Sequence, residues 1–334
     1  MDLLSITHFD DEDCVLRYLG RGVVYSDRVS KPVAVHDADT RAIPRDANNL
    51  HHLDTATRNT AINDAAIDQL VTMLRQRRTL VLTGAGISTE SGIPDYRGPT
   101  AKPRNPMRYQ MFVKSAAARQ RYWARSAVGW AFVADRYPNA GHDAVAQLED
   151  AGLISRVLTQ NVDGLHQAAG SQQVLELHGR LSQVRCLQCQ KLESRHRLQG
   201  RLLEHNPTFK TYVLDVAPDG DAEIPDEHIH TFTVPACRYC GGVLKPDVVF
   251  FGENVPKPRV ERAWQWLEDA DALLVLGSSL TVRSGYRFVV KAAQDGKPVA
   301  IINLGETRGD NDATLKLDAP LGTTLQALVQ QLAC

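Results

Sequence analysis

Four stretches of the chain are apolar without alternation: residues 79–82 (TLVL), 247–252 (DVVFFG), 272–277 (ALLVLG) and 299–303 (VAIIN). Runs of this length with no polar partner face are expected of parallel strands covered on both sides. Between them the period changes to that of helices. Ile67, Leu70, Val71 and Leu74 recur at i, i+3, i+4 and i+7 behind Asn63, a residue suited to a helix N-cap. Further helices are predicted over 142–151, closed by Gly152, and over 259–270, 284–295 and 323–332, while 110–137 is helical in composition with Trp123, Trp130 and Phe132. Strands alternating with helices in this way predict an α/β fold, a Rossmann-like doubly wound parallel sheet.

Residues 1–62 precede this pattern. Val15-Leu16 and Val23-Val24-Tyr25 suggest a small hairpin and 37–49 a polar linker, whereas the run Asp10-Asp11-Glu12-Asp13 reads as a solvated face. This extension carries no motif to which chemistry attaches. The rest divides into a nucleotide-binding domain over 63–183 and 244–334, with a helical module at about 99–140, and a cysteine-bearing module over 184–243.

With 43% hydrophobic residues, the 334-residue chain can bury a sizeable core. A formal net charge of −1 gives no reason to expect nucleic acid or an anionic membrane as a partner. The protein is expected to be a soluble monomer. Six cysteines occur, and four of them form the pairs Cys186-x-x-Cys189 and Cys237-x-x-Cys240 with 47 residues between. Two thiolate pairs without a histidine ligand predict a closed tetrahedral Zn²⁺ site of structural type, in a reducing compartment. A redox dithiol fits poorly, since nothing around either pair resembles a thioredoxin unit. The first 60 residues have no apolar signal core and hold more acids than bases, so a cytoplasmic, bacterial location is expected, with the mitochondrial matrix as the alternative.

The chemistry gathers at strand ends. Gly84-Ala85-Gly86 follows the first strand, where a Cβ would block the approach of a ligand to the backbone. Its spacing to Gly92 is not G-x-G-x-x-G, and no Gly-Lys-Ser/Thr follows, so neither an ordinary dinucleotide fingerprint nor a P-loop is present. The run Val157-Leu158 likewise ends in polar Gln160, Asn161 and Asp163, where a doubly wound sheet places ligand contacts.

Six motifs in order carry a family resemblance: GAGISTESGIPDYRG from Gly84, TQNVDGLH from Thr159, LHG from Leu177, the two C-x-x-C pairs, GSSL from Gly277 and INLG from Ile302. Together they resemble the sirtuins, NAD-dependent protein-lysine deacylases, over residues 67 to the C-terminus. KPDVVFFGE from Lys245 and SGYRF from Ser284 resemble the class II branch, which includes a mitochondrial sirtuin and bacterial relatives.

The resemblance implies NAD as cofactor and an acylated lysine in a protein as substrate. The backbone N–H groups of Gly84, Ala85 and Gly86, helped by Ser279 after Gly277 and Ser278, are expected to hold the pyrophosphate; the resemblance implies that Asn303 and Leu304 contact the adenine ribose and that Ser88, Thr89, Gly305 and Leu321 are further cofactor contacts. Asp95, Tyr96 (where Phe is commoner), Arg97, Gln160, Asn161, Val162 and Asp163 would surround the nicotinamide. Asn161 and His178 would be catalytic. Imidazole, with an ordinary pKa near 6.5, can be neutral at pH 7 and accept the proton of a ribose hydroxyl. Val248, Val249, Phe250, Phe251 and Gly252 would clamp an extended peptide by its backbone. The other ten histidines are assigned no role. Tyr122 and Arg125, at i and i+3 of one predicted helix, resemble the Y-x-x-R pair that holds acidic acyl chains in desuccinylase-type sirtuins, and a solvated Arg125 beside a packed Tyr122 is the competing reading. The expected activity is deacylation, with preference for dicarboxylic acyl groups in view; protein mono-ADP-ribosylation from the same site is the alternative.

Overall fold

The computed structural model describes residues 64–98, 101–102, 104–209 and 215–333. The hairpin and linker expected before residue 62 and the Asn63 cap lie outside the described residues. In chain order the elements are α1 (Asp64–Gln76), β1 (Thr79–Thr83), a 3₁₀ turn (Ala85–Ser91), α2 (Tyr109–Lys114), α3 (Ala116–Ala134), α4 (Ala140–Asp150), β2 (Ile154–Thr159), α5 (Leu165–Ala168) and β3 (Val174–Glu176). There follow β4 (Gly179–Cys186), β5 (Leu192–Ser194), α6 (Arg195–His205), β6 (Asp215–Val216), β7 (Ala222–Glu223), β8 (Leu244–Val248), α7 (Lys257–Asp269), β9 (Ala272–Leu276), α8 (Arg283–Gln294), β10 (Val299–Ile302), β11 (Leu315–Leu317) and α9 (Leu321–Ala333).

Six strands form one parallel sheet in the order β11-β10-β9-β1-β2-β3, with Leu82 of β1 opposite Leu158 of β2 and Val275 of β9. Alternation along each strand sorts the side chains onto two faces. Val81, Leu274, Leu276, Ala300 and Ile302 meet α1, α4 and α9, while Leu80, Leu82, Leu273, Val275 and Ile301 meet α7 and α8. Each fully buried Leu or Ile contributes about 1.5–3 kcal/mol, so the continuous apolar runs account for the two-sided burial. Chain order reverses direction at β1, which lies between β2 and β9. In an open α/β sheet ligands bind outside the carboxyl ends of the strands at that switch point.

The run 247–252 departs from its expectation. Val248 ends β8, which pairs antiparallel with β4 in a three-stranded sheet β5-β4-β8, and residues 249–252 leave the strand. The run is apolar because Phe250 packs into an aromatic cluster with Phe112 and Tyr122, at centroid distances of 5.2 Å to each ring, and not because strands flank it. The helical and cysteine-bearing modules also prove to be one lobe. Phe112, Tyr122 and Trp123 of α2 and α3 share a single core with Val184, Leu198, Phe232 and Leu244. A break at Ser115, whose hydroxyl accepts from the Ala118 N–H, divides the predicted 110–137 helix into α2 and α3. Among the described residues no helix is long and apolar enough to cross a membrane.

Candidate active site

The Gly84–Gly86 loop leaves the end of β1 and presses against the turn after β9. A Cβ on Gly84 would lie 2.7 Å from the Ser278 Cβ, and one on Gly86 would lie 2.8 Å from the Gly277 carbonyl oxygen. Gly277 itself has φ +60°, a conformation that glycine adopts readily. The N–H groups of Gly84 and Gly86, expected to face phosphates, donate to Leu276 O (3.0 Å) and Gly277 O (2.8 Å). They are committed because this close crossing of two loops needs backbone pairing. The Ala85 N–H, first in the 3₁₀ turn, stays open to an anion.

The crevice widens into a cavity of about 1120 Å³ that runs from Asn303, Leu304 and Leu321 past the glycine loop to His178 and Phe251. That is above the roughly 300–1,000 Å³ of ordinary small-molecule sites and leaves room for a dinucleotide and a second reactant. All the expected cofactor residues line it except Gly305. Gly305 instead supports the turn, accepting from Asn303 Nδ2 (3.2 Å) and Lys316 Nζ (2.8 Å).

At the end of β2, Asn161 donates through Nδ2 to Gly84 O and to Ser88 Oγ, each at 3.0 Å. Ser88 Oγ in turn donates to Asp163 Oδ2 (2.7 Å), and Leu165 N–H donates to Oδ1 (3.0 Å). Burial pushes the Asp163 carboxyl above its ordinary pKa, with these donors opposing the shift. Two of the unassigned histidines lie directly beneath. His142 Nε2 is 3.5 Å from Ser88 Oγ, and His166 Nε2 is 2.9 Å from Thr83 Oγ1, whose own proton goes to Thr159 Oγ1 (2.7 Å). Thr159 Oγ1 accepts from the Asn161 N–H (3.1 Å), so the buried pair underpins the Asn161–Asp163 turn. Both imidazoles are fully buried and desolvation lowers them, His142 to about 4 and His166 to about 3. One signal was available for His142: Asn139 caps α4 and forms a capping box with it.

His178, two residues past the end of β3, lines the same cavity beside Gln160. Its Nδ1 is 2.9 Å from Gln160 O and its Nε2 is 2.7 Å from Ser284 Oγ. A carbonyl only accepts, so Nδ1 carries the proton and Nε2 presents the lone pair. Desolvation, reinforced by Arg259 and Arg287, lowers the imidazole to about 4, and the Gln160 hydrogen bond opposes this. At pH 7 the ring is neutral and can act as a base. Gly179 is required beside it: φ is +82°, and a Cβ would sit 1.9 Å from Asp247 O.

Val248 to Gly252 all line the cavity. The carbonyls of Phe251 and Gly252 accept from Tyr109 N–H (3.0 Å) and Gln110 Nε2 (2.9 Å), so α2 already occupies one edge. Lys245, buried, underlies the segment: its Nζ donates to Val248 O (2.5 Å) and pairs with Glu253 Oε2 (3.0 Å). Sequence reading missed both of these.

Tyr122 and Arg125 are not in the cavity wall. Tyr122 is fully buried against Phe112, Trp123 and Phe250, and Arg125 Nε lies 2.8 Å from Asp221 Oδ1. Asp221 belongs to the β6–β7 hairpin, whose Asp219 and Pro218 do line the cavity, beside Tyr96. Burial, then Asp219, push Asp221 up to about 6, and Arg125 opposes them. The expected free guanidinium is thus neutralised by a partner that the sequence pattern did not reveal.

The four thiols of Cys186, Cys189, Cys237 and Cys240 have their sulfurs within 4.8 Å of one another, with Cys186–Cys240 at 3.5 Å and Cys189–Cys237 at 3.8 Å. A sulfur tetrahedron at the usual Zn–S distance of about 2.3 Å has edges of about 3.8 Å, so the set fits Zn²⁺ with no position open to water. Of the histidines between the pairs, His205 and His230 are exposed, as expected of surface residues.

A crevice at the switch point of a parallel sheet, a glycine loop, a neutral imidazole and a thiol tetrad define a nucleotide-binding α/β protein with a lobe fit for zinc. Residues 84–284 match the Sir2 family model, and the chain belongs to that family, the sirtuins. It is 54% identical over 261 residues to NAD-dependent protein deacetylase 1 of Streptomyces coelicolor, covering 78% of this chain and 87% of that one. It is 52% identical over 257 residues to the NAD-dependent protein deacetylase of Xanthomonas axonopodis, covering 76% and 87%. Among solved structures it is similar to a Sir2–p53 peptide–NAD⁺ complex, with a TM-score of 0.65, 32% identity and coverage of 79% of this chain and 98% of that one. Family membership makes NAD the cofactor.

Proposed function

We propose that the protein is an NAD-dependent protein-lysine deacylase that removes acyl groups from lysine, releasing nicotinamide and O-acyl-ADP-ribose. The observation that carries this reading is a neutral His178 on the wall of the cavity that the glycine loop also lines. The deacetylase names of relatives at 50–54% identity support it, as does similarity to a Sir2 bound to acetylated peptide. Bound NAD supplies a leaving group, nicotinamide, and an electrophilic sugar carbon. The chain's residues do the rest. Asp163 offers a carboxyl and Asn161 an amide oxygen at the carboxamide-recognising turn. His178 Nε2 takes a proton from a sugar hydroxyl, a role for which its lone pair is oriented by Gln160. The backbone of 248–252 receives the acyl-lysine segment by main-chain pairing, so sequence selectivity is weak.

For the acyl group, the Arg125–Asp221 pair favours neutral chains over the dicarboxylic ones that Y-x-x-R alone suggests. Breaking such a pair to admit a second carboxylate leaves Asp221 uncompensated. The thiol tetrad suits a reducing cytoplasm.

The test offers NAD with peptides bearing acetyl, propionyl, succinyl and glutaryl lysine and follows peptide mass. Loss of acetyl or propionyl ahead of the acidic groups, and none of it in His178→Ala that still binds NAD, is expected. An ADP-ribose mass added to protein without acyl loss would establish transferase activity instead, and full deacylation by His178→Ala would remove His178 from its role.

A further inference from the structure

The lone pair of the base is already engaged. Gln160 O can only accept, which places the proton on Nδ1 of His178, so at 2.7 Å it is the Ser284 hydroxyl that donates into Nε2. Ser284 lies 106 residues away in the first turn of α8 and lines the same cavity as His178. The next residue, Gly285, makes the approach possible. Gly285 is buried, and a Cβ there would lie 2.4 Å from Gln160 Oε1. The Gln160 side chain is held by donation from Nε2 to Ser278 Oγ (2.8 Å). The start of α8 therefore reaches both ring nitrogens of His178, one through the Ser284 hydroxyl and the other through room left for the residue whose carbonyl holds Nδ1.

We propose that Ser284 is a catalytic proton relay between the sugar hydroxyl and His178. The sugar O–H bond breaks and a new O–H bond forms on Ser284 Oγ, while the original Ser284 proton passes to Nε2 and forms the N–H bond of an imidazolium. One proton moves in net terms, the negative charge stays on the sugar oxygen, and Ser284 ends as a neutral hydroxyl that accepts from Nε2–H. Direct transfer to Nε2 requires that the short Ser284 bond first be broken; relayed transfer keeps it. The inference rests on the reading of His178 as base.

The experiment compares wild type, Ser284→Ala, Ser284→Thr and His178→Ala by steady-state kinetics with NAD and acetyl-lysine peptide. It adds NMR titration of the His178 ring in ligand-free protein. General-base steps are worth about 10²–10⁴-fold, and part of that, roughly 10–100-fold in kcat, is expected to be lost in Ser284→Ala with the KM for NAD within about twofold. Ser284→Thr, which keeps the hydroxyl, should recover most of it. Removing a donor to the neutral ring also raises the pKa of His178 in the ligand-free NMR titration. A Ser284→Ala enzyme as fast as or faster than wild type, a loss that Thr does not rescue, or an unmoved His178 titration overturns the relay. If His178→Ala itself keeps full activity, the assignment of the base fails instead.

Discussion

Acidification from pH 7 to 5 is expected to destabilise the fold, and buried histidines set the size of the effect. Burial lowers His142 and His178 to about 4 and His166 to about 3, against an ordinary value of 6.5. A group whose folded pKa is depressed in this way binds fewer protons folded than unfolded. Its stabilising contribution is complete above about pH 6.5 and is lost as the pH falls towards about 4. Over pH 7 to 5 each histidine accounts for a loss of about 1.8 kcal/mol, and the three together for about 5.5 kcal/mol. Asp221 works in the opposite direction. Its folded pKa is raised to about 6, so it takes up a proton first in the folded state and returns about 1.3 kcal/mol over the same interval. The net loss is about 4 kcal/mol, trimmed further by the raised Asp163 and Asp219. Urea midpoints followed by tryptophan fluorescence between pH 7 and 5 read this total, to which protonation of metal-bound thiolates also adds. His166→Gln isolates one term, because Gln can still donate to Thr83 Oγ1 but cannot titrate. Its stability should fall less steeply than that of wild type, by about 1.4 kcal/mol per pH unit below pH 6. Parallel curves for the two proteins would refute the neutral buried ring.

Two further outcomes are expected. Lys245→Met removes the donor to Val248 O and leaves Glu253 without its counter-ion, held only by the Phe250 N–H. With Glu253 partly exposed, the loss should be about 2 kcal/mol, below the 3–5 kcal/mol of a fully buried pair, and should lower Tm by about 3–4 °C in thermal melts of a fold this size; an unchanged Tm would contradict the packing described. Metal analysis should find one zinc per chain, and a strong chelator, or Cys189→Ser, should lower Tm through loss of the β5-β4-β8 lobe. Equal melts with and without chelator would argue against a structural metal.

What could be read from the sequence was what is local along it. Strands buried on both faces leave continuous apolar runs, and ligand loops follow strand ends, so Gly84–Gly86, Asn161–Asp163 and Gly277–Ser279 came with their context. Each C-x-x-C pair is similarly self-contained. β8 was misplaced because an apolar run records burial without recording what buries it, and Phe250 is covered by aromatic rings and not by neighbouring strands. The partners that decide the chemistry of His178 and Arg125 are distant in sequence. Ser284 and Asp221 reach them through α8 and the β6–β7 hairpin, and no periodicity marks such contacts. His142 and His166 meet only because α4 packs against α5 at the carboxyl ends of β1 and β2, with their rings 5.0 Å apart.

The most direct test of the central claim is to count nicotinamide released against acetyl groups lost when the enzyme turns over an acetyl-lysine peptide with NAD. The account predicts one nicotinamide for each acetyl group. Acetyl loss that proceeds without NAD, or without matching nicotinamide, would contradict it.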